Sequence, residues 1–196
     1  LLASTYAFRS SVDEMHLRMG GQLTVAVFDK SASNPAARIG LAIAQFCAQA
    51  PEVELHVHVA PINAIERGVI DGRFQVGVIP GHRRSASLTY DPLFDETMYL
   101  YAGAQHPLFA TPDADLGWDG LARQQFAGLG YHSPNMDLSL QKRLPRKATG
   151  FDQEAIAHLI LSGHFLGFLP DHYAAGFVAQ GLMRALNPAV LQYTCS

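Results

Sequence analysis

The sequence predicts an α/β protein built on parallel strands, and three observations carry that prediction. Strand-like and helix-like stretches alternate from Leu23 onward, as in LTVAVF, PAARIGLAIAQFCAQA, VELHVHV and FQVGVIP. Such alternation implies parallel strands joined by right-handed helical crossovers. Of 196 residues, 48% are apolar and 16% charged, which suffices for a buried core and excludes a disordered composition. The 17 glycines and 11 prolines are spread along the chain, so they punctuate elements instead of forming a low-complexity tract.

Residues 1–20 open the chain. Leu1, Thr5, Phe8, Val12, Met15 and Met19 recur at alternating steps of four and three, the a and d positions of a heptad. They predict the end of a longer helix whose apolar seam docks either on its own chain or on a partner. The chain lacks an initiator methionine and starts in mid-pattern, so a preceding segment is expected. Gly20-Gly21 stops the helix.

The strand LTVAVF covers Leu23 to Phe28, and a helix is predicted from Pro35 to about Ala50. Ile39, Ile43, Phe46 and Ala50 form its inward stripe, while Leu41 and Ala48 fall outside and leave an apolar patch that a monomer would not need. In VELHVHV, Val53, Leu55, Val57 and Val59 share one face, predicted as core, and Glu54, His56 and His58 share the other. His56 and His58 lack a third metal ligand, so two surface histidines and no metal site are expected. A helix around Asn63 to Ile70 and the strand FQVGVIP, Phe74 to Pro80, follow.

A second half begins with the strand TMYLYAG, Thr97 to Gly103, and a turn-rich stretch from His106 containing a short helix. Strands are predicted at Phe126 to Gly130 and Arg146 to Phe151. Asp152 caps a helix carrying Ile156, Leu159 and Ile160, which Gly163 ends. The strand Phe165 to Leu169 runs through Pro170-Asp171 into one more helix and a short return.

The strings GQLTVAVFDKSASNPAARIGLAIAQF, PEVELHV, IERGVIDGRFQVGVIP, PLFDETMYLYAGAQHPLF and AIAHLILSGHFLGFLPDHYAAG, in this order and spacing, resemble the effector-binding domain of LysR-type transcriptional regulators. The resemblance covers Gly21 to about Pro188. It implies two Rossmann-like lobes joined by two crossing strands, the architecture of type 2 periplasmic solute-binding proteins. The crossing strands would lie at about Phe94 to Gly103 and Gly163 to Pro170. Residues 1–20 would end a linker and dimerisation helix, 21–95 and 170–196 would form lobe I, and 96–169 lobe II. The implied partners are a small-molecule effector, further copies in a homodimer or homotetramer, and DNA, contacted only through a helix-turn-helix domain upstream of these residues. The implied location is the cytoplasm. A periplasmic solute-binding protein of a transporter would share the fold, with a signal peptide upstream.

The stretch DKSASNPAAR, Asp29 to Arg38, joins the first strand to its helix. Pro35 suits a first helical turn, which makes Asn34 or Ser33 the cap. Ligands of open α/β sheets bind at the strands' C-terminal edge, where a helix start favours an anion. Ser31 or Ser33 is therefore a candidate effector contact, and Lys30 either adds a charge or stays solvated. Ile62, Asn63 and His82 end at the same edge, His82 either bonding a ligand or lying in an exposed loop. From the second lobe, Tyr131, His132, Gly150 and Phe151 are candidates, although the two aromatics equally suit a core. One of Tyr99 and Tyr101 is expected to face the effector. A hydroxyl-lined helix start facing aromatic residues suggests a small carboxylate.

Other functions find little support. A net charge of −3 without a Lys/Arg block argues against direct nucleic-acid binding. Cys47 and Cys195 form no zinc or disulfide pattern, and no apolar run of about eighteen residues could span a bilayer. The sequence has no G-x-S-x-G elbow, H-E-x-x-H, Walker loop or dinucleotide fingerprint, so neither an enzyme nor a cofactor is expected.

Overall fold

The computed structural model describes residues 21–81 and 84–195. The heptad of residues 1–20 and the candidate contact His82 lie outside the described residues. The described residues divide into two compact units, one comprising 21–28 with Arg38–Ile79, the other Asp29–Ala37 with 80–81 and 84–195.

The first unit contains β1 (Gly21–Val27), α1 (Ile39–Gln49), β2 (Val53–Val59), α2 (Ile62–Ile70) and β3 (Val76–Val78). Its sheet has the order β2-β1-β3 and is parallel throughout, as the alternation predicts. Because β2 and β3 flank β1 on opposite sides, right-handed crossovers put α1 and α2 on opposite faces. The register aligns Ala26 with His58 and Gly77, and this is the face α2 covers. A Cβ added at Gly77 would lie 2.6 Å from Ile65 Cγ2, so the glycine is what lets α2 approach.

Helix α1 departs from its predicted start. Ser31–Ser33 make a 3-10 turn, residues 35–37 a further turn, and Arg38, at φ 50°, precedes the helix without any side-chain cap. A left-handed residue cannot continue a right-handed helix, so the α-helix begins at Ile39 and Pro35 lies outside its first turn. Ile39, Ile43 and Phe46 are its half-buried side and Leu41 is 55% exposed, which matches the predicted stripe, but no residue of α1 is fully buried.

The predicted core face of β2 is only partly buried. Val53 and Leu55 are half-buried, whereas Val57 and Val59 are 47% and 69% exposed. Val76 lies in the same cross-strand row as Val57, two strands over, and is exposed as well. An edge strand beneath a loosely packed helix cannot shield that face.

The second unit contains β4 (Glu96–Gly103), β5 (Phe126–Leu129), α3 (Pro134–Gln141), β6 (Arg146–Gly150), α4 (Gln153–Leu161), β7 (Leu166–Pro170), α5 (Asp171–Ala179), β8 (Met183–Ala185) and β9 (Gln192–Cys195). Three short 3-10 helices fill the turn-rich stretch between β4 and β5. Strand order is β6-β5-β7-β4-β8, with β9 also on β4. Strands β5, β6 and β7 run parallel, while β4 is antiparallel to β7, β8 and β9. Alternation along β4 sends Met98, Leu100 and Ala102 into one core with Phe126, Phe168 and Leu191, and Tyr101 into another with Ile156, Ile160 and Ala174.

Helix α3 and strand β9 have no counterpart in the sequence prediction. Helix α3 starts in a recognisable way, with Pro134 in its first turn and the Ser133 hydroxyl accepting from Met136 N–H. The prediction also assigned residues 170–196 to the first lobe. In the structure, β8 and β9 share the edge of β4 opposite β7 and so complete the sheet of the second unit, to which Asp29–Ala37 also belongs.

Candidate functional site

The turn Asp29–Ala37 belongs to the second unit and is held within it side chain by side chain. Asp29 Oδ2 accepts from Gln153 N–H at 2.9 Å, at the first turn of α4. Lys30, in the left-handed region at φ 64°, pairs with Glu154 and sets its ammonium 4.6 Å from the centroid of the Tyr173 ring. The Tyr173 hydroxyl donates to the same Glu154 oxygen at 3.2 Å. Ser33 Oγ lies 2.8 Å from His172 Nδ1 and 2.9 Å from the carbonyl oxygen of Lys30. His172 Nε2 is 3.0 Å from Glu96 Oε1, which also accepts from Asn34 Nδ2 at 3.1 Å. A carboxylate only accepts, so a neutral His172 carries its proton on Nε2 and offers Nδ1 to the Ser33 hydroxyl.

Electrostatics follow from this packing. Burial pushes the Asp29 carboxyl above its ordinary value; the charge of Asp152 adds to the rise, and the Gln153 amide and Lys30 oppose it. Burial is the largest single influence on the Lys30 cation and works against it, but the bond and charge of Glu154 together with Tyr173 outweigh it and raise the ammonium, while the same bond lowers the Glu154 carboxyl. Tyr131 is raised by burial first and then by the carboxylates of Asp29 and Asp152 and by Cys195, which sets that ring beside the acidic turn. Burial, with Glu96 and Asp95, pushes the Cys195 thiol up to about 12.

The structure brings together Lys30, Ser33, Asn34 and, through Asp29 and Asp152, Tyr131. Ser31 is buried in the same turn. Asn34 is not a helix cap, because its Oδ1 accepts from Ala36 N–H at 2.8 Å in a local turn and its amide goes to Glu96. Tyr99 and Tyr101 do not divide between faces. Residues two apart on a strand share a face, and their rings meet edge-on at 6.5 Å, with Tyr101 in the core and Tyr99 half-buried. His132 is exposed, with Nε2 3.5 Å from Asp137 Oδ1. Gly150 is buried under α4, where an added Cβ would meet Ile156 Cδ1 at 2.9 Å. Phe151 is 69% exposed. Ile62 is buried and Asn63 exposed at the start of α2, in the first unit.

Sequence reasoning missed Asp29, Glu96, Gln153, Glu154, His172 and Tyr173. A signal existed for some: Asp152 heads a helix whose next residues are Gln153 and Glu154, and Pro170-Asp171-His172-Tyr173 starts the following one. Among the described residues, no group of three or more His, Cys, Asp or Glu could hold a metal ion, and no helix is long and apolar enough to cross a membrane.

A sequence profile described as the LysR substrate binding domain matches residues 18–194. The chain belongs to this family. The HTH-type transcriptional activator BauR of Pseudomonas aeruginosa is 35% identical over 193 residues, which are 98% of this chain and 63% of that protein. The present LysR substrate-binding domain thus spans less than two thirds of that relative's length. Among solved structures, the cofactor-binding domain of the Cbl transcriptional regulator superposes with a TM-score of 0.68 at 16% identity, covering 92% of this chain and 79% of that one. The reduced OxyR regulatory domain from Pseudomonas aeruginosa gives 0.63 at 21%, with 91% and 88% covered. The regulatory domain of CcmR from Synechocystis PCC6803, solved in complex with 2-PG, gives 0.64 at 17%, with 90% and 87% covered. Strands β4 and β7, both within the second unit, pair antiparallel from Met98↔Pro170 to Tyr101↔Gly167. The fold is that of LysR effector-binding domains, type 2 periplasmic-binding-protein-like.

Proposed function

We propose that this chain is the effector-sensing domain of a cytoplasmic LysR-type regulator. A small metabolite binds the face formed by Asp29–Asn34, the starts of α4 and α5 and the first residue of β4, and the change is relayed to a helix-turn-helix domain outside these residues. The observation that carries this reading is the convergence on one turn of Ser33, Asn34, His172 and Glu96, a polar network within hydrogen-bonding distance throughout. Occupancy of such a network shifts a regulator only by the ligand's difference in affinity between two states.

The ligand is a small carboxylate that takes Lys30 from Glu154. The Glu154 side chain is 54% exposed, and an exposed ion pair is worth only about 0–1 kcal/mol, so exchange of one carboxylate for another is cheap. Tyr173, already beside Lys30, offers an aromatic wall. Further copies pair through the first unit, where Leu41, Val57 and Val59 expose apolar surface.

A thermal-shift screen of small carboxylic acids against the wild-type chain and a Ser31→Ala/Ser33→Ala double variant tests the site. Ligand-induced shifts that vanish in the variant support it, and shifts that persist remove both serines from it. Light scattering tests the pairing: a dimer or tetramer is expected, and a strict monomer at high concentration counts against it.

A further inference from the structure

The side chains on this face carry more carboxylates than basic groups. Around the turn stand the carboxylates of Asp29, Glu96, Asp152, Glu154 and Asp171, against Lys30 and His172. Lys30 is committed to Glu154 and His172 to Glu96. Asp152 accepts from Ala155 N–H and Asp171 from His172 N–H, so both are engaged at helix starts. Asp29 differs. It is partly buried, its one bonded neighbour is the Gln153 amide, and among the described residues no cationic side chain bonds it. A partly buried carboxylate with no bonded cation is weakly compensated, Lys30 acting on Asp29 through its charge alone.

Gln153 gives an independent observation. The residue is 3% exposed, and its side-chain oxygen is buried without a hydrogen-bond partner among the described residues. Nearly all buried polar atoms are paired, so an orphaned acceptor calls for a donor. It belongs to the residue whose main-chain N–H already holds Asp29. Aromatic surface lies close to the turn: Tyr131 senses the charges of Asp29 and Asp152, and Phe151, two residues before Gln153, exposes its ring while packing against Gly130, where an added Cβ would lie 2.5 Å from Phe151 Cε1. Two acceptors and aromatic surface suit an ammonium group.

We propose that the effector carries an amino group, bound as ammonium by the Asp29 carboxylate and the Gln153 side-chain oxygen and flanked by Tyr131 and Phe151. The proposal rests on the reading of this face as the effector site. Together with a carboxylate at Lys30, it makes the ligand class an amino acid or another short amino carboxylate.

The test uses matched pairs of probes on the whole chain: 4-aminobutyrate with butyrate, 5-aminovalerate with valerate, and L-lysine with hexanoate, followed by calorimetry or thermal shift. At least one amino acid is expected to bind about tenfold or more tighter than its partner lacking the amine. Asp29→Asn, which keeps an acceptor for the Gln153 amide, abolishes that preference while leaving unliganded melting cooperative. Gln153→Met weakens the preference without adding charge. Acids that bind as tightly as their amino counterparts, with both unchanged in Asp29→Asn, overturn the amine and leave the effector face standing. Amino acids whose binding survives both Asp29→Asn and Lys30→Met overturn the face itself.

Discussion

The two units answer the same local code with different packing. In the second, alternation along β4 feeds two cores, one on each side of the sheet, and Phe168 at 1% exposure meets Phe126, Trp118 and Tyr193 at centroid distances between 5.2 and 6.3 Å. In the first, equally clean alternation along β2 leaves Val57 and Val59 open, and α1 buries no side chain completely. Periodicity tells which residues share a face; only the number of layers stacked on that face decides whether it is core. The three-stranded sheet of the first unit has apolar surface to spare, which is what a subunit contact would use.

The largest effect that sharpens this contrast comes from truncating each core. Phe168→Ala should lower unfolding free energy by about 3–5 kcal/mol, whereas Val57→Ala, already half in water, should cost under about 1 kcal/mol in the monomer. Urea titrations of both variants measure the gap, and equal losses would show the first unit to be packed after all. Next come paired glycine substitutions. A Cβ at Gly103 would lie 2.2 Å from the Ile160 carbonyl oxygen, so Gly103→Ala should cost at least about 1–3 kcal/mol through forced backbone movement. In α1, nothing lies within 4 Å of a Cβ at Gly40. Gly40→Ala should therefore stabilise by roughly 0.5–1 kcal/mol, the helix propensity difference.

The same contrast explains what was legible in the sequence. Strand and helix order was readable because buried strands and capped helices carry local signals: Asp152 accepts from Ala155 N–H, and Gly163, at φ 72°, follows the helix as expected. The start of α1 was not readable, because Arg38 adopts a left-handed conformation that no arginine advertises. Strand β9 was hidden too, since Gln192–Cys195 becomes a strand only by finding the open edge of β4. Of the candidate site, the turn itself was legible as polar residues between a strand and a helix. Its partners were not: Glu96, Glu154 and His172 lie between 62 and 139 residues away from the side chains they bond, and one sequence carries no record of such pairings.

A smaller effect comes from a buried titrating group. His106, buried in the second unit, accepts from Leu108 N–H through Nδ1 at 3.1 Å, which requires that nitrogen to be unprotonated. Burial, and then the charge of His164, lower it below the ordinary value of 6.5. The folded state therefore binds fewer protons than the unfolded state in that window, and the stability tied to neutral His106 is lost as pH falls below about 6.5. Urea midpoints should drop between about pH 7.5 and about pH 5.5, and less so in His106→Asn, which keeps a cap acceptor that does not titrate.

The smallest expected effect has the opposite sign. The Asp29 carboxyl is raised above its ordinary 3.8, so the native state holds that proton more tightly than the unfolded chain. Stability tied to Asp29 then falls as pH rises from 3.8 through the higher folded value, and at neutral pH the ionised group is a burden on the fold. Asp29→Asn should match or slightly exceed the wild-type melting temperature near neutral pH, with the difference closing in acid. A bound ammonium reverses the balance by supplying the missing charge, so the wild type should gain more from an amino acid at neutral pH than Asp29→Asn does, and lose that gain on acidification. Melting curves of the two proteins, with and without 4-aminobutyrate across that range, read both signs at once. A wild type that is more stable than Asp29→Asn at neutral pH without ligand would mean that Asp29 serves the fold as the partner of α4, and that the burden attributed to its charge is absent.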